Sequence, residues 1–229
     1  IIYMNTNQNI LTIDLDVVNE MDNLKIDNLN TGDMILCHCQ KDGKLDPGID
    51  GIIEEFTHSP YEHAAMIIKN PPWLDEGGIY VLQSGTGPNG YPDVMNGNKC
   101  GVTFNRFEDF ICNRHYVCVR NIEGVEWNEK TWAILKSAFD ECHGKPYDSN
   151  LCHWFCVGIS SFFCCPCWGR CCLKREKYSF WCSALVAFIY VKMGWLPKNL
   201  DWSDKTPGDL SIIELEHPAK LGNVWIIKK

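Results

Sequence analysis

The stretch WCSALVAFIYVKMG, residues 181–194, is the part of the sequence that decides the fold. The run of apolar side chains predicts a helix over Cys182–Met193, and Gly194 is suited to end that helix. The helix begins at a cysteine, where unpaired amide hydrogens and the positive end of the helix dipole favour the thiolate. The same amides can hold an oxyanion. Cys182 is therefore a candidate nucleophile, although buried thiols are common and a core role also fits the local pattern.

Short apolar runs bounded by turn residues predict a set of strands around this helix. The runs are Met34–Cys39, His63–Ile68, Ile79–Gln83, Gly101–Phe104, Tyr116–Arg120 and Asn223–Lys228. Helical spacing of apolar residues predicts a second helix over Asn128–Cys142, capped by Asn128 and ended by Gly144. Weaker patterns indicate short helices at 17–24 and 49–56 and loops at 84–99 and 198–209. Several strands, two helices and a final strand indicate an α+β fold.

Two polar residues in neighbouring predicted strands form, with Cys182, a candidate catalytic set. His63 opens a buried strand, where the edge of a sheet lets catalytic groups project, although a lone histidine is more often structural. Gln83 ends the next predicted strand along the chain. If those two strands pair, the amide can reach the imidazole and fix its tautomer, as the third member of a catalytic triad does.

The same residues fall within a series of short motifs that follow one another along the chain. The series is Thr31-Gly32-Asp33-Met34-Ile35-Leu36, His63-Ala64-Ala65-Met66, Gln83, Gly101-Val102, Gly144-Lys145-Pro146-Tyr147-Asp148, Cys182-Ser183-Ala184-Leu185-Val186 and Thr206-Pro207-Gly208-Asp209-Leu210. In this order the motifs resemble those of the permuted papain-fold thiol hydrolases of the NlpC-type superfamily. The resemblance is to its YiiX-like and lecithin retinol acyltransferase-like branches, which have bacterial and large-DNA-virus members.

The resemblance implies a permuted papain-like fold in which an antiparallel sheet packs on the nucleophile-bearing helix. It implies that Cys182 is the nucleophile, that His63 is the general base, and that Gln83 orients the imidazole. Tyr147 would line the site and donate to the oxyanion, although a packed aromatic with a satisfied hydroxyl fits equally. Many YiiX-like relatives carry glutamate at the position of Gln83, and an amide orients an imidazolium without neutralising its charge. Asp33 is expected to cap the turn before the first strand.

A hydrophobic, cysteine-rich segment at 151–177 precedes the Cys182 helix and is predicted to be an insertion in the catalytic domain. Between residues 151 and 173 the only formally charged side chain is that of Arg170. This length is enough to span a membrane, but a single crossing would separate His63 from Cys182. An interfacial or reentrant hairpin that contacts the membrane surface through 151–173 is therefore the membrane interpretation.

The cysteines of this insertion admit several interpretations. S-acylation of the cluster Cys164, Cys165, Cys167, Cys171 and Cys172 would strengthen a membrane anchor. A zinc site is the weaker alternative, because the spacing is irregular and no second clean C-x-x-C pair exists. Its ligands would come from Cys164, Cys167, Cys171 and Cys156. Disulfides would need an oxidising compartment, whereas a plain hydrophobic flap over the active site would need no modification.

The composition limits the remaining function classes. The 229 residues carry 21 basic and 29 acidic side chains, a formal net charge of −8 without a basic stripe, which argues against nucleic-acid binding. No secretory signal is recognisable, so we expect a cytoplasmic protein, peripheral to a membrane where the insertion makes contact. A lead segment at 1–30 is expected to precede one catalytic domain at 31–229. No cofactor is predicted.

These observations predict a cysteine hydrolase or acyltransferase that cleaves an amide or ester through an acyl-enzyme on Cys182. The hydrophobic insertion favours a lipid or lipid-modified substrate at a membrane surface. A peptidase or amidase acting on a peptide or a peptidoglycan-like substrate is the first alternative. The second alternative is a catalytically silent module that binds a membrane or a metal ion through its cysteines.

Overall fold

The computed structural model describes residues 26–38, 40–41, 44–45, 59, 61–85, 91–112, 114, 116–148 and 179–228. The described strands, in chain order, are β1 Met34–His38, β2 Gln40–Lys41, β3 Lys44–Leu45, β4 Tyr61–Lys69, β5 Ile79–Gly85, β6 Gly101–Arg106, β7 Val117–Glu123 and β8 Lys220–Lys228. Six of them form one sheet in the order β6-β5-β4-β1-β7-β8, and β2 and β3 form a separate pair. Every neighbouring pair is antiparallel.

Four α-helices complete the described part of the fold, together with a 3₁₀ helix. They are α1 Phe107–Cys112, α2 Glu129–Cys142, α3 Cys182–Met193 and α4 Pro207–Ile212, and the 3₁₀ helix is Trp202–Asp204. The α+β class predicted from the sequence is confirmed. The apolar run after Trp181 is one helix, α3, and its residues from Cys182 to Tyr190 are all buried. A helix that is apolar on every side must be enclosed in this way to remove its side chains from water.

The alternation of side chains along the strands gives the sheet two apolar faces. On one face Met66 and Leu82 belong to the core that contains α2 and α3. On the other face Ala65 and Val81 pack with Phe110 of α1. Successive strand residues point to opposite faces. From His63 onwards in β4, and along β5, even-numbered residues therefore face α3 and odd-numbered residues face α1.

Within the described residues, the two longer predicted helices and the predicted strands are found close to their expected positions. The side chain of Asn128 caps α2 by accepting a hydrogen bond from the backbone N–H of Thr131 at 3.1 Å, and α3 ends at Gly194. Each predicted strand is present, with ends that differ from the expected ones by a few residues. Local patterns were sufficient here because caps, breakers and alternation all lie within one element.

The loop predicted at 198–209 is wrong in part, because it contains the 3₁₀ helix and the start of α4. The start of α4 is a capping box, in which Thr206 Oγ1 accepts from the backbone N–H of Asp209 at 3.1 Å. In return Asp209 Oδ2 accepts from the backbone N–H of Thr206 at 2.8 Å. The sequence signal was therefore present in Thr206-Pro207-Gly208-Asp209. The short helix α1 was not predicted, since six residues carry too little periodicity.

Several predicted features fall on residues that the structure does not describe. They are the helices at 17–24 and 49–56 and the cysteine-rich insertion at 151–177. Residues 26–30, assigned by sequence to the lead segment, pack with the domain. Leu29 is fully buried, and Lys69 Nζ donates hydrogen bonds to the carbonyl oxygens of Asp27 and Leu29 at 3.0 and 2.9 Å.

Asp33 joins the turn before β1 to strand β7. Its Oδ2 accepts hydrogen bonds from the backbone N–H of Asn30 and from Nδ2 of Asn121, both at 2.7 Å. Its Oδ1 accepts from the backbone N–H of Ile122 at 2.8 Å. The side chain is fully buried, and these bonds offset only part of the hydration that the carboxylate lost on folding, so burial raises the pKa of Asp33 to about 6. The turn-capping role expected from the sequence is confirmed.

Replacing Asp33 with alanine is expected to lower the free energy of unfolding by about 2–4 kcal/mol, because two backbone N–H groups lose their acceptor. Urea denaturation followed by tryptophan fluorescence measures this loss. Asp75→Ala removes an exposed carboxylate and is the matched control, with an expected change within about 0.5 kcal/mol. Equal unfolding midpoints for the two variants would contradict the structural role of Asp33.

Candidate active site

Strands β4 and β5 separate at the end of the sheet where His63 lies. They pair with each other only as far as Met66 and Leu82. Beyond that point β4 continues along β1 on its other side, and β5 continues along β6 to Gly85. The described backbone therefore opens into a gap between two strands that are neighbours elsewhere. We call this the β4–β5 gap.

The start of α3 lies at the β4–β5 gap. The Cys182 Sγ lies 3.9 Å from the carbonyl oxygen of Glu62, within reach of a weak S–H···O hydrogen bond. The backbone N–H of Ala64 is close enough to the sulfur to lower the pKa of the thiol. The two groups belong to the residues on either side of His63 in the chain. The candidate nucleophile is thus held at the backbone of the strand that carries the candidate base.

The other side of the gap is closed by the residue two positions before Cys182. Ser84 of β5 donates a hydrogen bond from Oγ to the carbonyl oxygen of Phe180 at 2.6 Å. Ser84 is even-numbered, so it faces α3, and its hydroxyl is fully buried. The segment that leads into α3 is therefore attached to both strands, which fixes the position of the thiol.

Burial raises the pKa of the Cys182 thiol above its ordinary value of 9.0. The backbone N–H groups of Ala64 and Ser183 and the positive charge of Arg114 lower the pKa, but they do not outweigh the loss of water. The residue is only 3% exposed. The sequence led us to expect a thiolate at the start of this helix. That expectation is wrong for the resting protein, because the enclosed helix also removes the solvent that would stabilise the charge.

His63 is odd-numbered, and its ring lies on the α1 face, with its centroid 6.1 Å from that of Phe110. Its Nε2 hydrogen-bonds Gln83 Oε1 at 2.9 Å. Burial and the nearby Arg114 charge lower the pKa of His63 well below 6.5, and the bond to Gln83 opposes them only in part. The imidazole is therefore neutral near pH 7.

The structure brings His63 and Gln83 into direct contact, and it brings Cys182 to the backbone of the same strand. Among the described residues, the thiol has its hydrogen bond with the carbonyl of Glu62 rather than with the imidazole. The ring lies on the α1 face of the sheet, and the thiol lies at the backbone of β4.

A second amide extends the polar contacts of His63 and was not predicted. Gln83 Nε2 donates to Asn105 Oδ1 at 2.8 Å, and Thr103 Oγ1 donates to the same oxygen at 2.9 Å. Thr103 and Asn105 alternate with apolar residues in the strand 101–106, on the face that carries Gln83. That alternation of buried polar residues was the sequence signal that could have identified them.

Tyr147 lies beside the segment that leads to the thiol. It forms an isolated parallel bridge with Phe180, whose backbone N–H donates to the carbonyl of Pro146 at 3.1 Å. The backbone N–H of Asp148 donates to the carbonyl of Phe180 at 3.2 Å. The Tyr147 side chain is half-buried against the core. Its predicted donation to an oxyanion stays a prediction.

The start of α3 is also held from the C-terminal side. Trp181 Nε1 and Ser183 Oγ donate to the carbonyl oxygen of Lys205 at 3.1 and 2.6 Å. Lys205 directly precedes the capping box of α4, which gives the Thr206–Asp209 motif a role at the site. Trp181 is the N-cap of α3 and supplies no side-chain acceptor. The positive end of the helix therefore faces the thiol without a capping side chain from that residue.

The described residues contain no group of three His, Cys, Asp or Glu side chains that could hold a metal ion. The four cysteines considered as zinc ligands, at 156, 164, 167 and 171, lie outside those residues. None of the helices in the described ranges is both long and apolar enough to cross a bilayer. The membrane contact predicted for 151–173 also concerns residues outside the description.

No family model and no curated protein sequence matches the chain. Among solved structures, it is similar to that of the metalloprotein YiiX from Escherichia coli O157:H7, with a TM-score of 0.43 and 19% sequence identity. The similarity covers 72% of this chain and 66% of the YiiX chain, which is just under two thirds of that protein's length.

Proposed function

We propose that the protein is a cysteine hydrolase or acyltransferase with a permuted papain-like active site, in which Cys182 attacks the carbonyl of an amide or ester. One observation carries the proposal: the Cys182 sulfur lies at the backbone groups that flank His63, and Gln83 hydrogen-bonds the same imidazole at 2.9 Å. A thiol, an imidazole and a side chain that orients the imidazole are the parts that nucleophilic catalysis requires.

The neutral resting state of both groups defines the first step. Because the pKa of Cys182 is raised and that of His63 is lowered, the proton leaves the sulfur during the attack rather than before it. Gln83 occupies Nε2 of His63, which leaves Nδ1 to take that proton. General-base catalysis of this kind contributes about 10²- to 10⁴-fold to a rate.

The proposed reaction has two halves. A C–S bond forms as the Sγ proton moves to His63, and the carbonyl oxygen becomes an oxyanion that the first amides of α3 and Tyr147 can stabilise. The imidazolium then gives its proton to the departing amine or alcohol, and the acyl group stays on the sulfur. His63 next takes a proton from water or another acceptor, whose oxygen or nitrogen attacks the thioester. The C–S bond then breaks, the product leaves, and the imidazolium returns its proton to the Cys182 sulfur.

The substrate proposed from the sequence is a lipid or lipid-modified amide or ester, because of the hydrophobic insertion. A pre-steady-state assay with p-nitrophenyl acetate, octanoate and palmitate tests both the chemistry and the substrate class. The expected result is a burst of p-nitrophenolate and a protein mass increased by the acyl group on the Cys182 peptide. A burst that grows with chain length supports the lipid substrate, whereas one that is largest for acetate favours a peptide-like acyl group.

Two variants make the assay specific. Cys182→Ala is expected to abolish the burst, whereas Cys112→Ala, which removes an exposed thiol, is expected to retain it. Acylation that persists in Cys182→Ala and maps to other cysteines would contradict the proposal. It would instead favour a silent module that binds a membrane or a metal ion.

A further inference from the structure

Asn105 is a fully buried amide near the end of β6, on the α1 face of the sheet. A buried amide is costly unless its hydrogen-bonding groups are satisfied. Here all of them are used. Oδ1 accepts from Gln83 Nε2 at 2.8 Å and from Thr103 Oγ1 at 2.9 Å. Nδ2 donates to the backbone carbonyls of Tyr91 and Pro92 at 2.9 and 3.1 Å.

The two backbone carbonyls determine which way the Asn105 amide points. A carbonyl oxygen can only accept, so the NH₂ group must face Tyr91 and Pro92, and Oδ1 must face away from them. An oxygen there can be matched only by the NH₂ group of Gln83. The Oε1 of Gln83 is therefore the end that faces His63. The direction of every hydrogen bond in this row follows from two main-chain groups.

We infer that Asn105 is a positioning residue that sets the tautomer of His63 through Gln83. Because Oε1 of Gln83 can only accept, Nε2 of His63 must carry the hydrogen, and Nδ1 keeps the lone pair. That lone pair is what a base for the Cys182 thiol needs, so the inference rests on the proposed function. The row of amides is neutral, which is consistent with an imidazole whose pKa lies well below 6.5.

The carbonyls that anchor Asn105 are themselves held in place by the next residue. The buried carboxylate of Asp93 accepts hydrogen bonds from the backbone N–H of Phe104 at 2.6 Å and of Met95 at 2.8 Å. The bond to Phe104 joins this loop to β6 directly beside Asn105. The strand that carries Asn105 and the loop that carries the carbonyls of Tyr91 and Pro92 are therefore joined by hydrogen bonds. The fold thus fixes the orientation of the Asn105 amide.

The test compares two substitutions that differ in polarity. Asn105→Leu fills a similar volume but removes the acceptor for Gln83. Asn105→Asp keeps an acceptor, and its protonated oxygen can donate to one of the two carbonyls. A positioning role predicts that aspartate is tolerated and leucine is not. A merely structural role predicts that leucine lowers the stability of the protein, because buried partners lose their hydrogen bonds, while His63 keeps a single Nε2–H tautomer.

Two readouts are taken from each variant. Long-range ¹H–¹⁵N NMR is expected to show a single Nε2–H tautomer for His63 in the wild type and in Asn105→Asp. In Asn105→Leu a mixture of tautomers is expected, with an acylation rate about 10- to 100-fold lower. Asn105→Ala also lacks the acceptor and replaces the leucine variant if that variant does not fold.

The outcomes separate this inference from the proposed function. A single Nε2–H tautomer together with the wild-type acylation rate in Asn105→Leu overturns the positioning role. A wild type that is not acylated at Cys182 refutes the proposed function, while the tautomer spectra still decide whether Asn105 orients His63. A mixture of His63 tautomers in Asn105→Leu with an unchanged acylation rate would also overturn the inference, because the tautomer would then not matter for catalysis.

Discussion

His63→Ala is expected to slow the acylation of Cys182 by about 10²- to 10⁴-fold at pH 7, because the thiol loses the base that removes its proton. Stopped-flow measurement of the p-nitrophenolate burst gives the rate constant directly. His217→Ala removes an exposed histidine outside the site and is expected to leave that rate unchanged. Equal rates for the wild type and His63→Ala would remove His63 from the mechanism.

The pH dependence of the same variants supplies a second signature. Burial holds the pKa of His63 well below 6.5, so its base form persists in mildly acidic solution. The acidic limb of the wild-type profile is therefore expected below pH 6.5. In His63→Ala the thiol must ionise without help, and burial raises its pKa above 9.0. The residual rate of that variant is expected to keep rising through pH 9.

Gly101→Ala is expected to lower the free energy of unfolding by at least about 3 kcal/mol. Gly101 has a φ of 85°, and a β-carbon there would overlap the carbonyl oxygen of Lys145. That carbonyl accepts a hydrogen bond from the backbone N–H of Val102 at 2.7 Å, so it cannot retreat without breaking the bond. The substitution would displace the segment that carries Tyr147. Urea denaturation measures the loss.

Gly97→Ala is the matched control for this prediction. Gly97 has a similar φ of 74°, but a β-carbon there would meet nothing within 4 Å. Its expected loss is about 1 kcal/mol, from the left-handed conformation alone. Equal losses in the two variants would mean that backbone strain, rather than overlap with Lys145, makes Gly101 necessary.

Local sequence signals were enough to predict the helix α3, the position of Cys182 at its start, and most of the strands. The apolar run after Trp181, the cap at Asn128 and the breakers between strands each act within a few residues of the structure they determine. The meeting of His63 and Gln83 followed from one further assumption, that their strands are neighbours. The structure satisfies that assumption, although the two side chains meet beyond the last paired residues of β4 and β5.

The ionisation state of the site was not predictable in the same way. The position of Cys182 at a helix start favours a thiolate, but the enclosure of that helix by the sheet is a property of the whole fold. The role of Asn105 was not predictable from the sequence for a related reason. Its role depends on the carbonyls of Tyr91 and Pro92, which lie in a loop without a periodic pattern. Both the ionisation state of Cys182 and the role of Asn105 depend on burial in the complete fold, which local sequence patterns do not show.

The contact between the Cys182 sulfur and Glu62 joins residues 120 positions apart, whereas His63 and Gln83 are 20 apart. Contacts of large sequence separation carry a larger entropic cost of loop closure, which favours the formation of nearer contacts first. Strands β4 to β6 can therefore assemble the imidazole and its amides from neighbouring segments before α3 docks. Catalytic competence would then be a late product of folding, and a chain with a formed sheet and an undocked α3 would hold a base without its nucleophile.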